Sequence, residues 1–287
     1  MIGKINILAG TTASGKTKYA VELAKQINAV IINCDSMQVY QEIPLLTAQP
    51  TEEEKLGIEH RLYGCIPCGK EFNLGVWLEL VVKEIKEVLA LGKTPLLVGG
   101  TGLYIKSLVE GISELPSISE QTKLRIVELQ VNCTTADLYS KLLDLDPLAG
   151  IRLKAGDTQR ILRALAMVIE TGTSIFTWQA NAKVTHFFPR ESFYLMWLKK
   201  PREIIYNNIN QRFLQMIELG VVEEVKKLKT DITLPKAHGL PEIIKYLKGE
   251  LSIEQAIAIA QKNTRHYAKR QITFFSHQLE FDKVIQG

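Results

Sequence analysis

The strongest constraint on this chain is a run of eight residues near its start, Gly10-Thr11-Thr12-Ala13-Ser14-Gly15-Lys16-Thr17, which fits GxxxxGK[ST]. An apolar segment, Ile5–Ala9, precedes it, and a helical pattern from Lys16 to about Ile27 follows. That strand–loop–helix context separates a phosphate loop from a chance match. The glycines permit backbone angles that turn several N–H groups inward onto phosphate oxygens. The helix start adds the positive end of its dipole. Lys16 can neutralise phosphate charge, and the Thr17 hydroxyl can sit on a magnesium ion. The loop does not name the owner of the phosphate. NTPases, small-molecule kinases and transferases with a diphosphate leaving group all use it.

The rest of the pattern follows from that start. Ala29–Cys34 reads as a second strand, and Leu74–Leu91 as an amphipathic helix capped by Asn73 and ended by Gly92. Pro95–Val98 reads as a third strand, running into Gly99-Gly100-Thr101-Gly102. Strand–helix alternation predicts a parallel sheet flanked by helices. The pattern then becomes helical over Glu120–Val131, Thr135–Leu145 and Thr158–Thr171, and returns to a strand at Phe193–Leu198. Pro201 suits a first helical turn, with helices over Arg202–Leu219 and Val222–Leu228. Ser252 and Gln255 have capping-box spacing at the start of a long last helix. The expected fold is therefore an α/β, P-loop NTPase-like parallel sheet flanked by helices, with a helical insertion. The core takes residues 1–115 and 190–287, and the insertion 116–189.

Composition excludes some classes. Hydrophobic residues make up 46% and charged residues 23%, as in a soluble globular chain. No segment approaches the roughly 18 continuous apolar residues of a membrane span, and the N-terminus reads as a strand rather than a signal peptide. The expected compartment is the cytoplasm. Cys34, Cys65, Cys68 and Cys133 are scattered, and the lone CxxC at Cys65–Cys68 has no second ligand pair for zinc. From Lys199 onward there are 15 Lys and Arg against 10 Asp and Glu, while the first 198 residues are nearly neutral. The basic excess hints at a polyanionic partner for the C-terminal third.

Candidate chemistry clusters where strands should end. Asp35 closes the second strand, on the sheet edge that carries the phosphate loop, and could act as a general base or a metal ligand. Taken alone, it could equally be a turn or cap residue. Gly99–Gly102 opens on the same edge, bringing backbone N–H groups and the Thr101 hydroxyl. Arg160 and Arg163 share a helix face, and Lys262, Arg265, His266, Lys269 and Arg270 form another on the last helix, with Tyr267 and Phe274 interleaved. Such a face suits a nucleic-acid backbone, and equally a solvated surface. Arg212 can reach into the crevice to stabilise leaving-group charge, or pair at the surface.

Together these residues resemble the tRNA dimethylallyltransferase (tRNA isopentenyltransferase) family, of bacterial type, along nearly the whole chain. The family's GPTASGKT is here GTTASGKT. DSMQVY is intact as Asp35–Tyr40, and GGTGLY as Gly99–Tyr104. A DxQRxxRAL helix begins at Asp157, and Thr264–Phe275 resembles TRxYAKRQxTWF.

The resemblance implies transfer of a dimethylallyl group from its diphosphate to N6 of adenosine 37, beside the anticodon, in tRNAs reading codons that begin with U. It implies Asp35 as general base, with Thr17 and Arg212 in the catalytic group. Gly10 to Thr17 and Thr101 would bind the diphosphate, and Thr17 would hold Mg2+. It implies tRNA contacts from Asp35, Ser36, Met37, Gln38, Thr101, Lys123, Gln159, Arg160, Ile161, Leu162, Arg163, Arg265, Lys269 and Arg270. The expected partners are dimethylallyl diphosphate and a tRNA anticodon stem-loop, with no membrane and no obligate protein partner; a monomer is the default. A small-molecule kinase using ATP is the alternative. It explains the loop and Asp35 but neither DSMQVY nor the basic last helix. Departures from the family pattern include Thr11 for Pro, Leu46–Pro50 for GTAKP, Leu153–Asp157 for IHPND, Leu240-Pro241-Glu242 for YKE, and Phe274 and Ser276 within TWFR.

Overall fold

The computed structural model describes residues 4–229 and 232–287. β1 (Ile5–Gly10) is buried throughout and leads through the phosphate loop into α1 (Lys16–Gln26). β2 (Ala29–Asn33) follows, then the short α2 (Glu52–Lys55) and β3 (His60–Arg61). α3 (Leu74–Ala90) starts where the Asn73 side chain accepts from the Val76 N–H, and its face of Trp77, Val81, Ile85 and Val88 is buried. β4 (Thr94–Gly99) and α4 (Gly102–Glu110) complete this stretch. Next come β5 (Ile112–Ser113), α5 (Glu120–Asn132), α6 (Thr135–Leu145), α7 (Pro147–Arg152), α8 (Thr158–Thr171), α9 (Ile175–Asn181) and β6 (Val184–Thr185). The chain continues through β7 (Phe193–Lys199), α10 (Arg202–Glu218), α11 (Val221–Lys226), α12 (Leu240–Leu247), α13 (Ile253–Gln278) and β8 (Lys283–Gln286).

Six strands form one sheet in the order β3-β2-β4-β1-β7-β8, every neighbouring pair parallel. The central strands are buried and mainly apolar, with Asn6 of β1 and Asn33 of β2 as buried polar exceptions, because helices cover both faces of such a sheet. The register aligns Ala9 with Gly99 and Asn33 with Val98, so β1, β2 and β4 all end on one edge. Ligands of open α/β sheets bind at that edge.

The chain divides into two compact units. One runs to Glu110 and resumes at Phe187–Gly287; the other is Gly111–His186. The division falls a few residues earlier than the pattern placed it at each end. At the first end the reason is the two-stranded antiparallel sheet of β5 and β6, which pairs Ile112 with Thr185 and belongs to the helical unit. That unit has its own core of Leu138, Leu142, Ile161, Leu165 and Val168.

Pro201 differs from expectation. Its ψ of 140° makes it the residue before α10, which opens at Arg202. β3, β8 and α12 were not apparent in the sequence. β3 is short and part-buried, β8 is short and mostly exposed, and the eight-residue α12 has a proline at its second position that reads as a loop signal.

Candidate active site

The phosphate loop is built by backbone geometry. Ala13 and Gly15 take φ of 59° and 79°, so successive N–H groups turn the same way. Gly15 precedes α1 without offering a side-chain cap, which leaves the first-turn N–H groups for an anion. Thr11 is buried, and its carbonyl accepts from Lys16 Nζ at 3.4 Å. A cavity of about 750 Å3 opens against the loop, lined by Ala13 to Thr17 on one side and by Asn208, Gln211 and Arg212 of α10 on another.

Asp35 lies just beyond β2, where its neighbours fix it. The Asp35 N–H donates to Asn33 Oδ1 at 2.9 Å, Asn33 Nδ2 donates to the Asp35 and Leu62 carbonyls, and Asp35 Oδ1 accepts from the Met37 N–H at 3.0 Å. Asp35 lines a smaller chamber of about 60 Å3 with Thr12, Met37, Leu46, Arg212, His238 and Tyr267. Arg212 lines both chambers and donates to Thr12 Oγ1. Burial pushes the Lys16 ammonium below its ordinary range, Asp35 opposes the shift, and Arg212 adds to it. Burial also lowers Arg212, with Asp35 opposing. Two desolvated cations thus face one carboxylate, an excess of positive charge that an anion would balance.

Thr101 sits on the Asp35 side rather than against the larger cavity. Its hydroxyl accepts from the Ser36 N–H at 3.0 Å and hydrogen-bonds Tyr267. Gln38 Nε2 donates to the Thr47 and Ala48 carbonyls, which commits this amide to holding the neighbouring turn. Leu46, one of the family departures, is buried and helps close the Asp35 chamber.

Three residues outside the expected set of site residues hold the loops together, although one of them, Gln271, falls within the TRxYAKRQxTWF-like stretch. Gln271 of α13 is buried; its Oε1 accepts from the Thr12 N–H at 2.9 Å, and its Nε2 donates to the Gly100 carbonyl at 2.8 Å. Asn208 Nδ2 donates to the Ala13 carbonyl at 3.0 Å. Asn33 positions Asp35 as described. The only signal for Asn33 was a buried amide closing an apolar strand. For Gln271 it was the Q of the TRxYAKRQxTWF-like stretch, passed over beside the basic residues of the last helix. Glycine is required at Gly99, where a Cβ would lie 1.9 Å from the Cys34 carbonyl oxygen; at Gly100 a Cβ would lie 2.2 Å from Gln271 Nε2 and would displace that amide.

The remaining basic residues are dispersed. On α13, Lys269 and Arg270 are exposed, while Arg265 donates to Asn210 Oδ1 on α10. In the helical unit, Gln159, Arg160 and Arg163 are exposed, and Lys123 pairs with Glu120. Ile161 is a correction: its side chain is fully buried in that unit's core and cannot meet RNA, and Leu162 is packed partly against the same core. A helix that shows three polar residues outward must put the intervening apolar ones inward.

Magnesium fits this site as an ion carried mainly by a diphosphate. Among the described residues no group of three His, Cys, Asp or Glu could cage a metal. Magnesium in phosphate sites commonly takes few protein ligands and several substrate oxygens. The Thr17 side of the cavity and the buried, unpartnered Ser14 Oγ are the hydroxyls available.

A phosphate loop at the end of β1, facing a carboxylate at the end of β2, defines a P-loop α/β enzyme that handles a phosphorylated donor. Residues 38–278 match the IPP transferase family model and residues 3–68 the isopentenyl transferase model. The chain is 42% identical over 291 residues to tRNA dimethylallyltransferase of Wolbachia pipientis wMel, covering 99% of this chain and 96% of that one. It superimposes on the full-length tRNA isopentenylpyrophosphate transferase of Bacillus halodurans with a TM-score of 0.71, at 31% identity over 99% of this chain and 90% of that one. A eukaryotic dimethylallyltransferase acting on tRNA gives a TM-score of 0.77 at 25% identity, covering 94% of this chain and 69% of that one. The chain belongs to the IPP transferase family. The small-molecule kinase alternative is not favoured by these likenesses. Among the described residues, no helix is long and apolar enough to cross a membrane.

Proposed function

We propose that this enzyme transfers the dimethylallyl group of dimethylallyl diphosphate to N6 of adenosine 37 in tRNA, with Asp35 as general base. The observation that carries the reading is the paired chamber. A phosphate cavity and a small carboxylate-bearing pocket meet at Arg212, so a charged leaving group and a nucleophile's proton can be handled side by side.

The donor's diphosphate lies against the loop N–H groups and Lys16, and its allyl carbon faces the Asp35 chamber. The target adenine leaves the anticodon-loop stack and brings its N6 to the mouth of that chamber, at lower cost than a paired base would incur. N6 attacks the allylic carbon as the carbon–oxygen bond breaks. The electron pair goes to the diphosphate, whose charge Lys16 and Arg212 stabilise. The proton of N6 passes to the Asp35 carboxylate. When bound, magnesium adds charge neutralisation on the diphosphate, with Thr17 as its protein ligand. Gln159, Arg160, Arg163, Lys269 and Arg270 hold the RNA backbone. The enzyme acts as a monomer in the cytoplasm.

The test is direct. The protein is incubated with dimethylallyl diphosphate, magnesium and unmodified tRNA, and the nucleosides are weighed by mass spectrometry. A prenylated adenosine at position 37 is expected. Phosphorylation of a small acceptor by ATP, with no prenylated nucleoside, would overturn the reading.

A further inference from the structure

The turn at 43–48 stands between the two chambers. Leu45 lines the phosphate cavity, while Leu46 and Thr47, next along the chain, line the Asp35 chamber. Arg212 and Met216 of α10 line both. Together they form the rim where the chambers meet, and the turn supplies the side of it that no helix or strand holds.

The backbone of this turn is tied down from two directions. Its last N–H groups bond within the turn: Thr47 donates to the Ile43 carbonyl at 3.1 Å, Ala48 to Leu45 at 3.1 Å, and Gln49 to Pro44 at 2.9 Å. The N–H groups of Leu45 and Leu46 instead reach α11, where Glu224 Oε1 and Oε2 accept them, each at 2.8 Å. Opposite them, Gln38 Nε2 donates to the Thr47 and Ala48 carbonyls at 3.1 and 2.6 Å. A carboxylate thus takes two donors of the turn and an amide takes two acceptors. Two hydrogen bonds to one carboxylate fix direction as well as distance. Glu224 is half-buried, and burial raises its carboxyl above the ordinary glutamate range, while the two N–H groups and Lys227 oppose the rise. Its neighbour Glu223 is exposed and meets Lys226 at the surface.

The rim matters because of the donor. An allylic carbon whose bond to diphosphate is breaking reacts with any nucleophile in reach, and keeping water out prevents that side reaction. A misplacement of about 1 Å can also cost about 10²-fold in rate. We infer that Glu224 is a positioning residue for the transfer: by holding Leu45 and Leu46 it fixes the rim at which the allylic carbon meets N6, and keeps water from that carbon. The inference rests on the prenyl-transfer reading above. Where the rim slackens, water takes the place of N6. Its oxygen bonds the allylic carbon as the carbon–oxygen bond breaks, the electron pair leaves on the diphosphate, a proton passes to solvent, and dimethylallyl alcohol is released.

Wild type, Glu224→Gln, Glu223→Gln and Val225→Ala are compared at saturating tRNA and dimethylallyl diphosphate, and prenylated adenosine and dimethylallyl alcohol are both quantified. Glutamine keeps the side-chain length but offers one acceptor in place of two. Glu224→Gln should lose about tenfold or more in kcat for prenylation, with the KM for dimethylallyl diphosphate near the wild-type value because Lys16 and the loop still hold the diphosphate. Its ratio of alcohol to prenylated adenosine should rise clearly. Val225 is buried on the same helix, so Val225→Ala should lower Tm yet keep the wild-type ratio. Glu223→Gln should change neither. An unchanged ratio in Glu224→Gln, or an equal rise in Val225→Ala, would overturn the inference. If Glu224→Gln does not fold, Glu224→Ala, which lets water solvate the two N–H groups, is read in the same way. A wild-type enzyme that prenylates no RNA would overturn the prenyl-transfer reading and this inference with it.

Discussion

Gln271→Ala probes how the last helix holds the phosphate loop. The wild-type amide bridges the Thr12 N–H and the Gly100 carbonyl, and the second of these bonds is buried. Truncation strands both groups. The Gly100 carbonyl loses its donor away from water, a penalty of about 1–3 kcal/mol, whereas the part-buried Thr12 N–H can recruit water and loses about 1 kcal/mol. The sum, about 2–4 kcal/mol, corresponds in a chain of this size to a fall in Tm of roughly 5–10 °C. The KM for dimethylallyl diphosphate should rise as well, because Thr12 belongs to the loop that cradles the phosphates. A second substitution isolates the contact. A Cβ on Gly100 would lie 2.2 Å from Gln271 Nε2, but its next neighbour, the Gly10 carbonyl oxygen, is at 3.0 Å. Gly100→Ala should therefore be less damaging in the Gln271→Ala background than in the wild type, with a coupling of at least about 1 kcal/mol. Thermal unfolding of the four proteins in this cycle is the assay. Additive effects, or a Tm for Gln271→Ala within about 2 °C of wild type, would refute the bridging role.

Asp35→Asn keeps an oxygen to accept from the Met37 N–H, so fold and tRNA binding should persist while turnover falls by roughly 10²–10⁴; near-normal single-turnover rates would remove Asp35 from the chemistry. Lys269→Ala should weaken tRNA binding and reduce the slope of log affinity against log salt by about one, and an unchanged slope would place this lysine in plain solvent. His238 is held neutral by burial, so the unfolded chain takes up its proton first as pH falls. Stability from this group is complete above the unfolded value of about 6.5 and is lost as pH falls towards the lower folded value. His238→Gln should accordingly show a shallower loss of unfolding free energy below about pH 6.5; parallel curves for variant and wild type would show that the imidazole is not buried neutral.

Much of the site could be read in advance because its parts are local. The phosphate loop is a continuous stretch whose glycines and flanking elements carry its geometry. Asp35 could be placed because a strand end fixes which sheet edge it meets. The residues that escaped detection act across long stretches of chain. Gln271 reaches Thr12 over 259 positions, and Asn208 reaches Ala13 over 195. No periodicity reports such a pairing, and membership of the TRxYAKRQxTWF-like stretch does not say which loops the Gln271 amide reaches. The helical segment at 159–163 shows the converse error. A motif treats its residues alike, whereas helical rotation sends Ile161 into the core and leaves Arg160 and Arg163 outside.

The sequence by itself determined the class of fold, the identity of the phosphate loop and the carboxylate opposite it, because each follows from short-range pattern and backbone stereochemistry. Tertiary structure alone decided how those pieces form a site. It brought Arg212 between two chambers, tied both loops to Gln271, moved Thr101 to the carboxylate side, and held the turn at 43–48 between Glu224 and Gln38. Those outcomes depend on how α10, α11 and α13 pack against the sheet edge. Packing is a property of surfaces meeting in space, and residues distant along the chain acquire their chemistry only there.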